Sequence, residues 1–437
     1  MKPFRAQAQQ TGPGTFKSTH PWISFDFDLR RAPTNLWIAL GEARSKSEHL
    51  AGVPLKPAVA QYLHRVYLAR GVHATAAIEG NTLSEEQVLA RMAGKAVVPE
   101  SQKYLQQEID NVLEVAESIM SKAAADGRRD ITTAEIRDYN LRLLNGLDCD
   151  AHVVPGAYRS CAVGVMDYKA PEWDDCGFLV ANLCEWLNSD AFSAGDEDSF
   201  IVIGIVKAVV AHLYFAWIHP FGDGNGRTAR MLEVRFLAEA GVPSPAVHLL
   251  SNHYNKTRSE YYRQLSAASK KEPGDIGAFL NYAVRGFIDQ LREQLAFVRQ
   301  QQWDIAWVNY IYELYGQEKT IAEKRQISLL LALSGAEDVT PVSKLRHLSP
   351  VLAEMYAGKT AKTLTRDVNA LTQKGLVERS SAGIRARREI ILAFLPTRAD
   401  VQIEQAAAIE EALREAEIAS PAVVGSDVLT AVTYPIH

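Results

Sequence analysis

Apolar residues recur every three or four positions from about Leu36 to Leu144, in stretches such as LWIALGEA, AVAQYLHRVYLA and YLQQEIDNVLEVAESI. This spacing predicts several amphipathic helices, because it places apolar side chains along one face of an α-helix. From Phe200 to Ile218 nearly every residue is apolar, with Lys207 and His212 as the interruptions. The run is long enough to cross a bilayer, but these interruptions within an otherwise ordinary chain predict a central helix buried on all sides.

Two other segments break the helical pattern. The stretch HVVPGAYRSCAVGVMDYKAP is rich in β-branched and aromatic residues and is bounded by Pro and Gly, which predicts a short β-hairpin. Residues 320–395 contain three short helical stretches followed by LVERSS and AGIRARR, and helix, helix, helix, hairpin is the order of a winged helix. The sequence thus predicts a mainly α protein with a small hairpin and a C-terminal winged helix-turn-helix domain.

The same patterns predict a division of the chain into five parts. These are an N-terminal helical region (1–120), a helical core (121–300), a helical connector (301–319), a winged-helix domain (320–395), and a C-terminal helix with its tail (396–437).

Charge and cysteine content indicate which binding partners and which cellular location to expect. The 437 residues include 47 Lys and Arg against 52 Asp and Glu, so the net charge of −5 gives no global attraction to nucleic acid or anionic membranes. Between Pro341 and Leu395, however, ten basic and four acidic residues give a local net charge of +6. The four cysteines form no CxxC pair and the N-terminal stretch has no signal-peptide pattern, which predicts a reducing, cytoplasmic location.

The most informative stretch is WIHPFGDGNGRTARMLE, residues 217–233. His219 precedes a proline, and a residue in that position is disfavoured in the α conformation, so the buried helix should end there and present an imidazole. Three glycines alternate with Asp223 and Asn225, and a new helix begins at once. Consecutive backbone N–H groups at a helix N-terminus form an anion-binding site.

Charged side chains complete this loop. Arg227 and Arg230 are three residues apart on one helical face, where they could hold a polyphosphate, and Asp223 offers a hard oxygen ligand for Mg²⁺. Three glycines between helices are more often a plain loop, and a histidine at a helix end is usually a polar cap. A Walker A motif is excluded because no GK[ST] follows, and an EF-hand is excluded because Val234 stands where its last glutamate should be.

The segment HPFGDGNGRTAR, residues 219–230, resembles the signature HPFx[DE]GNGRxxR of Fic-domain AMP-transferases at every position. The resemblance implies a helical fold around the loop and transfer of AMP from ATP to a Ser, Thr or Tyr hydroxyl of a protein. His219 would be the general base and Asp223 would hold Mg²⁺. The implied phosphate-binding residues are Gly224, Asn225, Gly226, Arg227 and Arg230.

Two further segments resemble the same family less closely. The hairpin sequence GAYRSCAVGV, residues 156–165, resembles the flap that pairs with a target strand, which implies Arg159 and Val163 as target-docking residues. Plain hairpin packing is the alternative. The segment SNHYNKTRSEYYRQL resembles the adenine side of the site, with Asn255, Tyr261 and Tyr262 as candidates, although tyrosines at helical spacing are more often core residues.

The stretch ATAAIEGN places Thr75 and Glu79 at the end of a helical segment. By itself, Glu79 would be a surface carboxylate next to a glycine helix cap. Together with the loop, it resembles the inhibitory motif [ST]xxxE[GN] of Fic proteins. The resemblance implies that Glu79 pairs with Arg230 and withholds that guanidinium from the γ-phosphate, while Thr75 anchors the helix.

These features predict a protein adenylyltransferase that uses ATP and Mg²⁺ and is inhibited by its own N-terminal helix. Self-modification, removal of AMP from the target, homodimer formation and DNA binding are further expectations. The alternatives are a DNA-binding regulator whose core only senses nucleotide, and a transferase of another phosphate-containing group. The basic residues expected on the winged helix are Lys359, Lys362, Arg366, Arg385, Arg387 and Arg388.

Overall fold

The computed structural model describes residues 14–95, 98–165, 168–270, 276–317, 319–336 and 339–394. The chain forms two compact units, Met1–Val298 and Arg299–His437. The helix predicted within 396–437 lies outside the described residues, and the finer division at residue 120 stays a prediction.

The first unit is helical, as the apolar periodicity predicts, with one small hairpin. Its elements are α1 (Phe16–Thr19), α2 (Thr34–Gly52), α3 (Pro57–Ile78), α4 (Glu85–Met92), α5 (Lys103–Asp126), α6 (Thr133–Leu143), β1 (Gly164–Val165), β2 (Tyr168–Lys169), α7 (Cys176–Leu187), α8 (Phe200–Ile218), α9 (Asn225–Glu239), α10 (Leu249–Lys256), α11 (Arg258–Lys270) and α12 (Ile276–Leu314). The boundary between the two units falls within α12.

The apolar run predicted to form a buried helix is α8, and most of its side chains lie in the core. It packs against α9 as an antiparallel pair, and the contact is so close that a Cβ added at Gly204 would lie 2.1 Å from the Cβ of Ala240. Among the described residues, Glu197–Ile218 is the one helical stretch apolar and long enough to cross a membrane, and 83% of its apolar window is buried inside the protein.

The predicted hairpin forms, but it is shorter and later in the chain than residues 156–165. Its two antiparallel pairs are Gly164 with Lys169 and Val165 with Tyr168. The preceding residues do not continue the ladder, because Tyr158 forms an isolated bridge with Phe221 of the glycine-rich loop instead. The observed ladder lies within the stretch HVVPGAYRSCAVGVMDYKAP that predicts a hairpin, and the residues around Tyr158 bond to the loop instead of lengthening it.

The second unit has the predicted order of three helices and a hairpin. Its elements beyond α12 are α13 (Ile321–Ser334), α14 (Pro350–Met355), α15 (Ala361–Gln373), β3 (Val377–Ser380) and β4 (Gly383–Ala386). A buried carboxylate, Asp367, accepts hydrogen bonds from Arg325 Nε at 3.0 Å and Tyr356 Oη at 2.9 Å and so ties α13, α14 and α15 together. The identification of this unit as a winged helix stays a prediction.

We predict that Gly204→Ala lowers the free energy of unfolding by about 1–3 kcal/mol, because the new methyl group cannot fit between α8 and α9. Gly41→Ala is the matched control, since a Cβ at that helical position meets nothing within 4 Å. Urea unfolding monitored by circular dichroism compares the two variants. The double variant Gly204→Ala/Ala240→Gly should recover stability, and equal stability of the two single variants would contradict this packing.

Candidate active site

A cavity of about 600 Å³ lies in the first unit. It is lined by the end of α3, the hairpin β1–β2, the end of α8 with the glycine-rich loop, the start of α9, and α11. The residues used below that line it are Glu79, Tyr168, His212, His219, Asp223, Gly224, Asn225, Gly226, Arg230, Tyr261 and Tyr262. The structure therefore brings most of the sequence-predicted site residues to one place.

His219 follows the last residue of α8 and adopts a left-handed backbone conformation with φ 47° and ψ 58°. This conformation is uncommon for a residue other than glycine and turns the chain sharply out of the helix. The imidazole Nδ1 lies 3.3 Å from the carbonyl oxygen of Ala216, an acceptor, so Nδ1 carries the proton and Nε2 keeps its lone pair. Burial lowers the pKa of His219 to about 4. The hydrogen bond to Ala216 acts in the opposite direction, and the positive charge of Arg159 lowers the pKa further. The ring is thus neutral at physiological pH.

The loop after His219 leads directly into the N-terminus of α9. Gly224 takes a left-handed conformation with φ 78° immediately before the first helical residue. The side chain of Asn225 holds the loop in shape, since its Oδ1 accepts from the Phe221 amide at 2.9 Å and its Nδ2 donates to the Phe221 carbonyl at 2.8 Å. The first amides of α9 have no preceding turn of helix to bond to, and the helix dipole adds positive potential there.

The carboxylate of Glu79 lies over this helix N-terminus. Its Oε1 accepts from Arg230 Nη2 at 2.5 Å, and the same Nη2 lies 3.0 Å from the carbonyl oxygen of Thr75. A Cβ added at Gly226 would lie 2.2 Å from Glu79 Oε1, so only glycine permits this approach. Burial disfavours the charged carboxylate, but the facing guanidinium of Arg230 outweighs it and holds the pKa of Glu79 below its ordinary value.

Arg227 is buried and is not among the described residues that line the cavity. Its Nη1 donates to Glu108 Oε1 at 2.8 Å, and its Nη2 lies 3.1 Å from both carboxylate oxygens of Asp223. Glu108 also accepts from the side chain of Asn81, two residues after Glu79, at 2.8 Å. The two arginines that the sequence places on one face therefore have different acidic partners, and the phosphate-binding role of Arg227 stays a prediction.

Aromatic side chains from α11 line the opposite wall. Tyr261 is buried, with its hydroxyl 2.8 Å from His212 Nε2, and Tyr262 lies beside it. Asn255 is not among the described residues that line the cavity. Tyr261 and Tyr262 thus line the same cavity as His219, and their contact with a base stays a prediction.

The two residues predicted on the flap differ in their surroundings. Val163 is half-buried at the start of the hairpin, and its carbonyl accepts from the Ala170 amide at 3.2 Å. Arg159 is only 4% exposed and donates all its hydrogen bonds to backbone carbonyls of the protein itself. A direct contact of Arg159 with a target strand stays a prediction that this burial does not support.

Sequence reasoning missed several residues of the site. Tyr168 lines the cavity and donates its hydroxyl to the carbonyl of Trp217 at 2.7 Å, and His212 was noted only as an interruption of an apolar run. Glu108 holds Arg227 from α5, 119 residues away in the chain. A polar residue inside the apolar run of α8 was a usable signal for His212, whereas nothing near Glu108 in sequence indicates its partner.

The basic residues predicted on the second unit fall into two groups. Lys359, Lys362 and Arg366 are exposed on or beside α15. By contrast, Arg385 pairs with Glu378 and Glu389, and Arg388 pairs with Asp304. The arginines expected on the wing are thus engaged by acidic groups of the same unit, and DNA binding stays a prediction.

We predict that the His219 imidazole titrates near pH 4, below the value of about 6.5 that is ordinary for histidine. Proton NMR of the ring signals against pH measures this, with exposed His49 as the internal reference. Because the folded pKa lies below the unfolded one, this group makes the free energy of unfolding fall as pH drops from about 6.5 to 4. An inflection near 6.5 would show that the ring faces bulk water.

Part of this chain is similar to proteins of a known family. Residues 130–237 match the model of the Fic/DOC family, a segment that includes the whole glycine-rich loop. The protein adenylyltransferase Fic of Nematostella vectensis is 30% identical over 238 residues, which is 53% of this chain and 49% of that protein. The protein adenylyltransferase fic-1 of Caenorhabditis briggsae is 29% identical over 216 residues, 49% of this chain and 38% of that protein.

The chain therefore spans about half or less of the length of these curated relatives. A crystal structure of a Fic family protein from Desulfovibrio desulfuricans G20 aligns with a TM-score of 0.50 and 23% identity, covering 82% of this chain and 93% of the other, which shows a shared fold. The resemblance that the loop motif predicts is thus confirmed: residues 130–237 match the Fic/DOC family, and the chain has a Fic-type helical fold.

Proposed function

We propose that this protein is an adenylyltransferase that moves AMP from ATP to a Ser, Thr or Tyr hydroxyl of a protein. The observation that carries the proposal is the placement of a neutral imidazole and a helix N-terminus on one cavity. A base and an anion site next to each other are what attack on a phosphate requires. The names of the relatives, protein adenylyltransferases, support the same reaction.

In this proposal His219 accepts the proton of the attacking hydroxyl. Its Nε2 lone pair is available because Nδ1 faces the Ala216 carbonyl, and burial keeps the ring neutral. The hydroxyl oxygen forms a bond to the α-phosphorus as the bond between the α-phosphorus and the bridging oxygen to the β-phosphate breaks. The products are an AMP ester of the target side chain and pyrophosphate, and the proton passes from His219 to solvent or pyrophosphate.

The phosphates would lie on the start of α9. Gly224, Asn225 and Gly226 at the start of α9 line the cavity, the first turn of a helix offers backbone amides to an anion, and Arg230 supplies a buried cation. Phosphoryl-type transfer depends mainly on such positioning and charge neutralisation. Tyr261 and Tyr262, which line the same cavity, are the proposed contacts for the adenine ring.

The residues present fit a magnesium ion. Asp223 lines the cavity and its side chain is 51% exposed; both carboxylate oxygens lie 3.1 Å from Arg227 Nη2, so an ion would share this carboxylate with Arg227. The described residues contain no group of three or more His, Cys, Asp or Glu side chains suited to a metal. Mg²⁺ can also be held by one or two carboxylates together with substrate phosphates and water, and Asp223 is the carboxylate proposed for this role. Such an ion would neutralise phosphate charge, and Asp223 would hold it.

Glu79 makes this site autoinhibited in the proposal. Its carboxylate lies against Gly226 and binds Arg230 at 2.5 Å, so it takes both the space and the cation that a terminal phosphate needs. An ATP molecule must displace this charge-assisted hydrogen bond or bind in another pose. Removal of AMP from a target, self-modification, homodimer formation and a cytoplasmic location stay predictions.

The hairpin is the proposed docking element for the target. Its strands β1 and β2 border the cavity through Val165 and Tyr168, next to His219. A two-stranded ladder can accept an extended segment at a free edge, where backbone hydrogen bonds fix the register of the incoming side chains. The target hydroxyl would thereby be brought to the imidazole.

We predict that Glu79→Gly raises AMP transfer about 10- to 100-fold, because it frees Arg230 and the start of α9 for the phosphates. The variant is incubated with ATP labelled at the α-phosphate or, separately, at the γ-phosphate. Label from the α-phosphate alone should remain on protein. Retained γ-label would indicate a kinase, and no retained label would favour a regulator that only senses nucleotide.

Two controls accompany this experiment. Glu79→Gln keeps the size but removes the charge and should activate partly. Glu100→Gly removes an exposed carboxylate that pairs with Lys103 and does not line the cavity, and it should leave the rate unchanged. Activity of Glu79→Gly equal to or below that of the unmodified protein would contradict autoinhibition.

We predict that His219→Ala, in the Glu79→Gly background, lowers the transfer rate by about 10²- to 10⁴-fold, the usual contribution of a general base. ATP binding, measured by calorimetry, should persist because the phosphate site stays intact. His49→Ala on the exposed face of α2 is the matched control. Transfer at the parent rate in the His219 variant would refute its role as base.

A further inference from the structure

The hairpin and the loop that carries His219 are joined by one buried side chain. Arg159 donates through Nε to the carbonyl of His219 at 2.8 Å, through Nη1 to that of Cys161 at 2.9 Å, and through Nη2 to that of Pro171 at 2.5 Å. Cys161 and Pro171 flank the hairpin on its two sides. A single guanidinium therefore binds both ends of the hairpin and the backbone of the proposed base.

Backbone and tyrosine contacts reinforce this junction. The amide of Arg159 donates to the carbonyl of Pro220 at 2.9 Å, and Tyr168 donates to that of Trp217 at 2.7 Å. Carbonyls at a helix C-terminus lack partners within the helix, and here the hairpin region supplies donors to them. The left-handed conformation of His219 is costly for a non-glycine residue and needs such external support.

The arginine is poorly explained as a packing residue alone. Among the described residues, no carboxylate pairs with Arg159, although its side chain is almost fully buried. Burying a cation without a counter-ion is costly, and an apolar side chain would fill the same space at lower cost. The planar fork of arginine, however, reaches three carbonyls in fixed directions, which neither a lysine nor an apolar side chain can do.

We propose that Arg159 is a positioning residue that sets the backbone of His219 and couples it to the hairpin. The inference rests on the proposed function, because the hairpin would carry the target and His219 would receive its proton. A target strand docked on the hairpin is then at a fixed distance from the imidazole. The nearby positive charge of Arg159 also favours the neutral ring that a base requires.

The test compares Arg159→Met and Arg159→Lys in the Glu79→Gly background. We expect the transfer rate at saturating ATP to fall about 100-fold in both, because a displacement of the base by about 1 Å has an effect of that size. The dissociation constant for ATP should change less than about threefold, since Arg159 does not line the cavity. In Arg159→Met alone, loss of the charge should move the acid limb of the pH–rate profile to higher pH.

Arg137→Met is the matched control. Arg137 also donates from a neighbouring helix to a backbone carbonyl of this region, that of Gly156 at 2.7 Å, but it does not contact His219. Its transfer rate should stay close to that of the parent. A rate loss in Arg159→Lys no larger than in Arg137→Met would overturn the positioning role, as would a loss that appears wholly as weaker ATP binding.

Hydrogen exchange measured by mass spectrometry tests the coupling without using activity. Arg159→Lys should speed exchange together in peptides covering the hairpin and residues 217–224, and Arg137→Met should not affect the second peptide. If Glu79→Gly transfers no AMP, the proposed function is wrong, while hydrogen exchange still decides the coupling. Unchanged hydrogen exchange at residues 217–224 in both Arg159 variants would overturn the coupling between the hairpin and the loop.

Discussion

The close antiparallel packing of α8 on α9 is the constraint on which the site depends. Gly204 near the start of α8 contacts Ala240 just after the end of α9, so the two helices run side by side in opposite directions. The chain must therefore reverse direction within the six residues 219–224 that join them. Such a short reversal requires left-handed backbone at His219 and Gly224. It also places the end of one helix and the start of the next on a common cavity, which brings the His219 imidazole beside a helix N-terminus.

Charge balance within the cavity explains why Glu79 is paired with Arg230. Arg230 is 1% exposed, and a guanidinium this deeply buried needs an anionic or carbonyl partner. In the absence of nucleotide, Glu79 and the Thr75 carbonyl supply those partners from α3. Nucleotide binding would therefore exchange one anion for another at Arg230, and the difference between the two interactions would set the apparent affinity for ATP.

Much of the fold follows from local pattern. The all-apolar run of α8 and the three- and four-residue spacing before it predict helices that the structure contains, and the Pro and Gly punctuation predicts a hairpin. The pattern did not give the strand bounds, and the ladder is short because Tyr158 and Arg159 bond to the loop at Pro220 and Phe221 instead of extending it. The length of the ladder thus depends on hydrogen bonds to residues some 60 positions away in the chain, and local strand propensity carries no information about them.

The sequence by itself determined the helical architecture, the loop with its imidazole and glycines, and, through a family resemblance, the pair of Glu79 and Arg230. Only the tertiary structure decided the partners of the other buried arginines. Arg227 pairs with Glu108 and Asp223, and Arg159 donates a hydrogen bond to the backbone carbonyl of His219. The reason is physical. Periodicity and turn chemistry act between neighbours along the chain, whereas the choice of partner for a buried charge depends on which distant groups the packing brings within hydrogen-bond distance.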